Sequence, residues 1–197
     1  MDAVDERGIV GPFIWTPALV AGEYERLCRT PSDIYLHLPR FVQLVEDTNA
    51  QHVIELGTRT GVSTIAWLHA LNATGGKLTS VDLDPRPPIG LHDHWQFIQG
   101  DDMDPAISGG LDPAEIVFID TSHHYTHTLK ELHVYRWLVK PGGFLVCHDT
   151  ELPRPEGMPP SDPVFPVKRA IERFVAETGF EWVNVPECWG LGVIRVV

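Results

Sequence analysis

Two aspartates and two histidines stand at the ends of apolar runs between Ile116 and Thr150. IVFID ends at Asp120, His123 follows in the next turn, and FLVCHD ends in His148-Asp149. Carboxylate oxygens and imidazole nitrogens can together hold a divalent cation. An imidazole whose ordinary pKa lies near ~6.5 can also take or give a proton at neutral pH. Each apolar run reads as a buried strand, with a helix and a Lys-Pro-Gly-Gly turn between them. Neighbouring strands of a parallel sheet lie about 4.8 Å apart, so their carboxyl ends converge. Ligands of open α/β sheets bind at that edge.

The remaining elements must build such a sheet. HVIELG (52–57), KLTSVDLD (77–84), WQFIQGD (95–101), EIVFID (115–120) and GFLVCHD (143–149) read as five buried strands. Helical periodicity marks 61–73, 125–139 and 167–179, the first stopped by Gly75-Gly76 and the last by Gly179. EWVNVPE and LGVIRVV then read as an antiparallel pair around Cys188-Trp189-Gly190. The pattern predicts an α/β fold, Rossmann-like and doubly wound. Its seven-stranded sheet is mostly parallel and ends in a C-terminal antiparallel hairpin. Residues 1–50 read as a mainly helical cap, with a helix over Ser32–Thr48 capped by Ser32 or Asp33. The proline-dense loop 152–166 excludes regular structure and could cover the site as a lid.

Between the first strand and its helix lies the loop Glu55-Leu56-Gly57-Thr58-Arg59-Thr60-Gly61-Val62-Ser63. Glycine there permits a tight turn and close approach of a ligand, and the helix start offers free N–H groups. Arg59 occupies the middle glycine position of the dinucleotide pattern, so that pattern does not apply. Asp82 ends the second strand, where an acid can accept hydrogen bonds from ribose hydroxyls. Asp101 and Asp102 follow the third strand at the same sheet edge, while Asp84 and Asp104 read as solvated turn residues.

Glu-x-Gly-x-x-x-Gly, VDLDP, IQGDD, a strand-terminal aspartate and KPGG together resemble class I S-adenosylmethionine-dependent methyltransferases, over roughly residues 50–197. ELGTRTGVST and IDTSHHYTHTLKEL with PGGFLVCHDT resemble the small-molecule O-methyltransferases of cephalosporin biosynthesis and macrolide-sugar modification. The resemblance implies S-adenosylmethionine as cofactor. Glu55, Gly57 and Ser63 would surround its methionine part, with Thr58 and Gly61 in the same loop. Asp82 would hold the ribose, and Asp101 or Asp102 the adenine side. It also implies a metal at Asp120, His148 and Asp149, with His123 as general base beside Asp120. His148 stands where the related pattern has an acid, a departure that makes a borderline metal such as Mn²⁺ an alternative to Mg²⁺.

Composition bounds the partners. At 197 residues the chain suits one structural domain, a cap over 1–50 and a cofactor domain over 51–197. Net charge of −12, with 15 basic residues scattered among 27 acids, argues against nucleic acid. No apolar run is long enough for a membrane span, and the N-terminus does not read as a signal peptide. Three cysteines without CxxC spacing read as reduced packing residues, hence a cytoplasmic protein. The expected acceptor is a hydroxylated small molecule, and a homo-oligomer is an open possibility. Competing expectations are a metal-dependent hydrolase or oxygenase using Asp120, His123 and His148, and a non-catalytic cofactor-binding module. His127, one turn after His123, reads as coincidence rather than a ligand.

Overall fold

A computed structural model describes residues 14–87, 89–154 and 156–197, together with the backbone of 2–4 and 10–12. The N-terminal stretch on which the signal-peptide expectation rests lies largely outside them. β1 (Asp2–Val4) and β2 (Val10–Pro12) pair antiparallel, a hairpin that the expectation of a mainly helical first fifty residues did not include. α1 (Pro17–Cys28) follows, with Thr16 Oγ1 accepting from the Leu19 amide as N-cap. The Ser32–Thr48 segment is helical only in its second part. A 3₁₀ turn (Tyr35–His37) leads into α2 (Leu38–Thr48), whose early Pro39 suits a first turn that needs no amide donor. Ser32 and Asp33 cap neither; Asp33 instead meets Arg59.

β3 (His52–Leu56), α3 (Val62–Asn72), β4 (Lys77–Asp82), β5 (Trp95–Gln99), α4 (Pro105–Ser108), β6 (Ala114–Ile119), α5 (Tyr125–Tyr135), β7 (Val139–His148), α6 (Pro166–Thr178), β8 (Glu181–Val185) and β9 (Leu191–Arg195) complete the chain. The seven-stranded sheet has the order β5-β4-β3-β6-β7-β9-β8, parallel except where β9 pairs with β7 and β8. The α/β fold with a closing antiparallel hairpin is therefore as the periodicity predicts. β7 starts earlier than expected and carries Lys140-Pro141-Gly142-Gly143 within it, as an irregularity in its register with β6.

Strand alternation divides the core. Val53, Leu78, Phe118 and Val146 face α1, α2 and α3, while Ile54, Leu56, Val117 and Cys147 face α5 and α6. On the first face Phe41 stacks on Trp67 at 4.1 Å between ring centres, with Phe118 edge-on to Phe41. Complete burial of a side chain such as Phe41 contributes roughly 1.5–3 kcal/mol. With helices on both faces, the carboxyl edge of β3, β4 and β6 is left open. The chain order reverses between β3 and β6, which opens a crevice there.

Candidate functional site

A cavity of about 630 Å³ occupies that crevice. Of the residues the sequence singled out, Gly57, Thr58, Ser63, Asp82, Asp102, Asp120, His123 and Asp149 line it. Glu55, Gly61, Asp101 and His148 are not among the residues that line it. Asp101 closes a local turn by accepting from the Met103 amide, so Asp102 is the acid of that pair that reaches the cavity.

The glycine loop has a backbone no other residue would adopt easily. Gly57 has φ +86°, and a Cβ there would overlap the Asp120 carbonyl. The amide of Gly57 donates to the Val81 carbonyl at 2.9 Å, fastening the loop to β4. Asp82 secures its other side. Its Oδ2 accepts from the Thr58 amide at 2.6 Å, the Thr58 hydroxyl at 2.8 Å and the Arg59 amide at 3.2 Å. Burial opposes ionisation of Asp82, but these bonds outweigh it and hold its pKa below the usual carboxylate value.

Beneath the loop Glu55 is fully buried. Its oxygens accept from Ser63 Oγ at 2.6 Å, Thr64 Oγ1 at 2.8 Å and Ser80 Oγ at 2.6 Å, joining β3 to α3 and β4. Burial raises its pKa to about 7 against the effect of the three hydroxyls. Arg59, with φ +45°, reaches across the mouth to Asp33 at 2.5 Å.

Asp120 follows β6 and Asp149 follows β7, as the strand ends predict. His123 has φ +58°, which turns its ring back toward both. Its Nε2 lies 2.7 Å from Asp149 Oδ2 and 3.4 Å from Asp120 Oδ1. His123 Nδ1 has no hydrogen-bond partner among the described residues. Burial pulls the His123 pKa down, but the two carboxylates more than compensate and lift it to about 9.

His148 is buried with Nε2 at 3.0 Å from the Cys188 carbonyl and 3.2 Å from that of Asp33. A carbonyl only accepts, so Nε2 carries a hydrogen and Nδ1 faces the acids, 3.3 Å from Asp149 and 3.6 Å from Asp120. Burial again lowers its pKa, and the acids raise it to about 11. Asp120 is held well below the usual carboxylate range by the two imidazoles, against its burial. Two imidazoles and two carboxylates thus balance each other's charge, and Asp120, His148 and Asp149 bring their donor atoms within 4.8 Å of one another. That donor set, two oxygens and one nitrogen, fits a divalent cation.

Three wall residues, Ile34, Thr121 and Ser122, had no signal in the sequence. Leu152 comes from the loop expected to cover the site, His127 from α5, and Trp189, an aromatic the sequence offered as a pocket wall, from the turn before β9. Trp189 follows Cys188 in the left-handed region, with φ of 64° and 45°, and stands half-exposed at the cavity.

Comparison with known proteins finds methyltransferases. The family described as "Methyltransferase domain" matches residues 54–150. A rhamnosyl O-methyltransferase of Mycobacterium tuberculosis is 26% identical over 172 residues, covering 77% of this chain and 65% of that protein. The chain thus spans about two thirds of the length of that curated relative. An O-methyltransferase of Aspergillus thermomutatus is 24% identical over 118 residues, covering 55% of this chain and 49% of that protein. Among solved structures, the O-methyltransferase from Bacillus cereus in complex with SAH superposes with a TM-score of 0.64 at 16% identity, covering 92% and 90% of the two chains. TomG from Streptomyces achromogenes, in complex with SAM, gives 0.63 at 16% identity over 90% and 89%.

Proposed function

We propose that this chain, which has the fold of the class I S-adenosylmethionine-dependent methyltransferases and a methyltransferase-domain match over residues 54–150, methylates a hydroxyl oxygen of a small molecule such as a sugar or natural-product scaffold. The single observation that carries the reading is one cavity bounded by the Gly57 loop and Asp82 on one side and by Asp120, His123 and Asp149 on the other.

When bound, S-adenosylmethionine supplies an activated methyl group: the acceptor oxygen bonds to the methyl carbon as the carbon–sulfur bond breaks, leaving S-adenosylhomocysteine. Gly57, Thr58, Gly61 and Ser63 form the loop that admits the methionine part, because Gly57 lets the backbone pass against Asp120. Glu55 acts as a positioning residue, holding the start of α3 from below. Asp82 offers its carboxylate to ribose hydroxyls, and Asp102 lies on the adenine side. Asp101 supports that turn.

His123 takes the acceptor proton. Acting as base requires the neutral imidazole, which predominates above its pKa of about 9; in that form Nε2–H is directed at Asp149 and Nδ1 carries the accepting lone pair, oriented as a carboxylate orients an imidazole in hydrolytic triads. Asp120, His148 and Asp149 would hold a divalent cation, Mg²⁺ or Mn²⁺, which would polarise the acceptor hydroxyl. The N-terminal segment that carries Asp33 and Ile34, the loop from Leu152 and Trp189 bound the acceptor side. A small-molecule acceptor accords with the acidic charge, and no helix among the described residues is long and apolar enough to cross a membrane.

The test is calorimetric titration with S-adenosylmethionine and S-adenosylhomocysteine, each with and without Mn²⁺. Micromolar binding is expected; absence of binding in every condition overturns the transferase reading and leaves the Asp-His centre to another chemistry.

A further inference from the structure

A second group of ionisable side chains flanks the same cavity, and of its three members only Asp102, on the adenine side, has a role above. His127 and Glu131 stand one turn apart on α5, on one helical face, and Asp102 approaches them from the loop after β5. His127 Nε2 lies 3.4 Å from Glu131 Oε1 and 3.6 Å from Asp102 Oδ1. One donor atom from each of the three residues falls within 4.8 Å of the others.

The oxygens that remain are the informative ones. Asp102 Oδ2 and Glu131 Oε2 are both buried with no hydrogen-bond partner, in residues 7% and 0% exposed. Two carboxylates so placed need a shared proton or a cation, because a buried acceptor with neither loses its hydration and gains nothing. His127, whose pKa Asp102 and Glu131 lift to about 10, supplies one positive charge but at long range: charge-assisted N–H···O bonds run about 2.7–2.9 Å, the length found between His123 and Asp149. The separations around His127 instead match the edges of a tetrahedral metal site, which for bonds of about 2.0–2.1 Å are about 3.4 Å.

Outer contacts already hold the ligands in place. Thr121 Oγ1 donates to Glu131 Oε1 at 2.7 Å, and the Tyr135 hydroxyl donates to the Asp102 carbonyl at 2.7 Å. Such bonds fix ligand orientation at metal centres. We propose that Asp102, His127 and Glu131 bind a second divalent cation, of the zinc type, distinct from any ion at Asp120, His148 and Asp149. One imidazole and two carboxylates suit zinc. Asp102 and His127 line the cavity, so the open coordination position faces it, and the ion ties α5 to the loop after β5.

The experiment compares chelator-treated wild type, Asp149→Asn, and Asp149→Asn combined with Glu131→Gln. Each is titrated with zinc chloride by calorimetry, with bound zinc counted after gel filtration and thermal unfolding followed in parallel. Asp149→Asn is expected to retain one tightly bound zinc and a zinc-dependent rise in Tm, both lost when Glu131→Gln is added. Equal zinc content in the single and double variants overturns the site and assigns a shared proton to the carboxylate pair. Should Glu131→Gln fail to fold, His127→Gln carries the same comparison, because that side chain is partly exposed. No activity enters these readouts, and S-adenosylhomocysteine affinity measured on the same samples reports separately on the transferase reading.

Discussion

Nδ1 of His148 lies 3.3 Å from Oδ2 of Asp149, its immediate neighbour in the chain. Successive side chains of a strand point to opposite faces, so His148, the last residue of β7, and Asp149 would not ordinarily meet if the strand continued. Asp149 meets His148 because its backbone leaves the strand with φ +64°, a left-handed conformation that aspartate tolerates. The change of direction converts a strand end into two arms of one centre, closed by His123 at 2.7 Å.

Asp149→Asn tests the proposed ion at that centre. Asparagine keeps the left-handed turn and the shape but removes the charge, so the protein is expected to fold while Mn²⁺ affinity at the Asp120 centre falls at least about tenfold, roughly 1.4 kcal/mol. Electron paramagnetic titration with Mn²⁺ reads this directly. Wild-type affinity in the variant removes Asp149 from the ligand set.

His123→Ala separates chemistry from binding. Loss of a positioned base is expected to lower turnover by roughly 10²–10⁴-fold, with S-adenosylhomocysteine affinity nearly unchanged, since Asp82 and the glycine loop are untouched. Full turnover with any accepted hydroxyl substrate would show that another group takes the proton.

Asp82→Ala is expected to weaken S-adenosylhomocysteine binding by roughly 10–100-fold, because hydrogen bonds to a charged group contribute about 1.5–3 kcal/mol and the same carboxylate secures Thr58 and Arg59. Unaltered affinity in calorimetry would sink the ribose assignment.

Gly57→Ala addresses the loop itself. The added Cβ would meet the Asp120 carbonyl in a backbone conformation that L residues rarely adopt. Destabilisation of roughly 1–3 kcal/mol is expected in urea unfolding, together with loss of cofactor binding. A variant as stable as wild type would show that the loop is free to move away from β6.

Glu55 predicts a pH dependence of stability. Its folded pKa, raised to about 7, lies above the usual carboxylate value, so the folded state binds the extra proton. Its contribution is therefore fully present below about pH 4.5 and is lost as pH rises through 7, amounting to roughly 3 kcal/mol across that window. Glu55→Gln mimics the protonated form at every pH. Relative to that variant, wild type is expected to lose stability between pH 5 and 8; a difference constant with pH would place the Glu55 pKa near its ordinary value.

Much of this arrangement is written in one dimension. Apolar runs at 52–57, 77–84, 115–120 and 143–149 with intervening helical periodicity are enough for a parallel sheet, because burial on both faces demands continuous apolar strands. Residues at strand ends then share one edge, which is why Asp82, Asp120, His148 and Asp149 were legible as neighbours. Local spacing also marked Gly57, whose φ +86° only the absence of a Cβ permits without strain.

Tertiary structure alone decided the rest, since it depends on contacts between segments far apart in sequence. No spacing relates Arg59 to Asp33, or His148 to the carbonyls of Asp33 and Cys188 that fix its tautomer. The choice of Asp102 over Asp101 follows from which way one turn faces. Spacing set His127 only beside His123, whereas the fold brings Asp102 and Glu131 against it. Periodicity reports how a segment meets the core, whereas the partners of a buried polar atom are set by the packing of whole elements against one another.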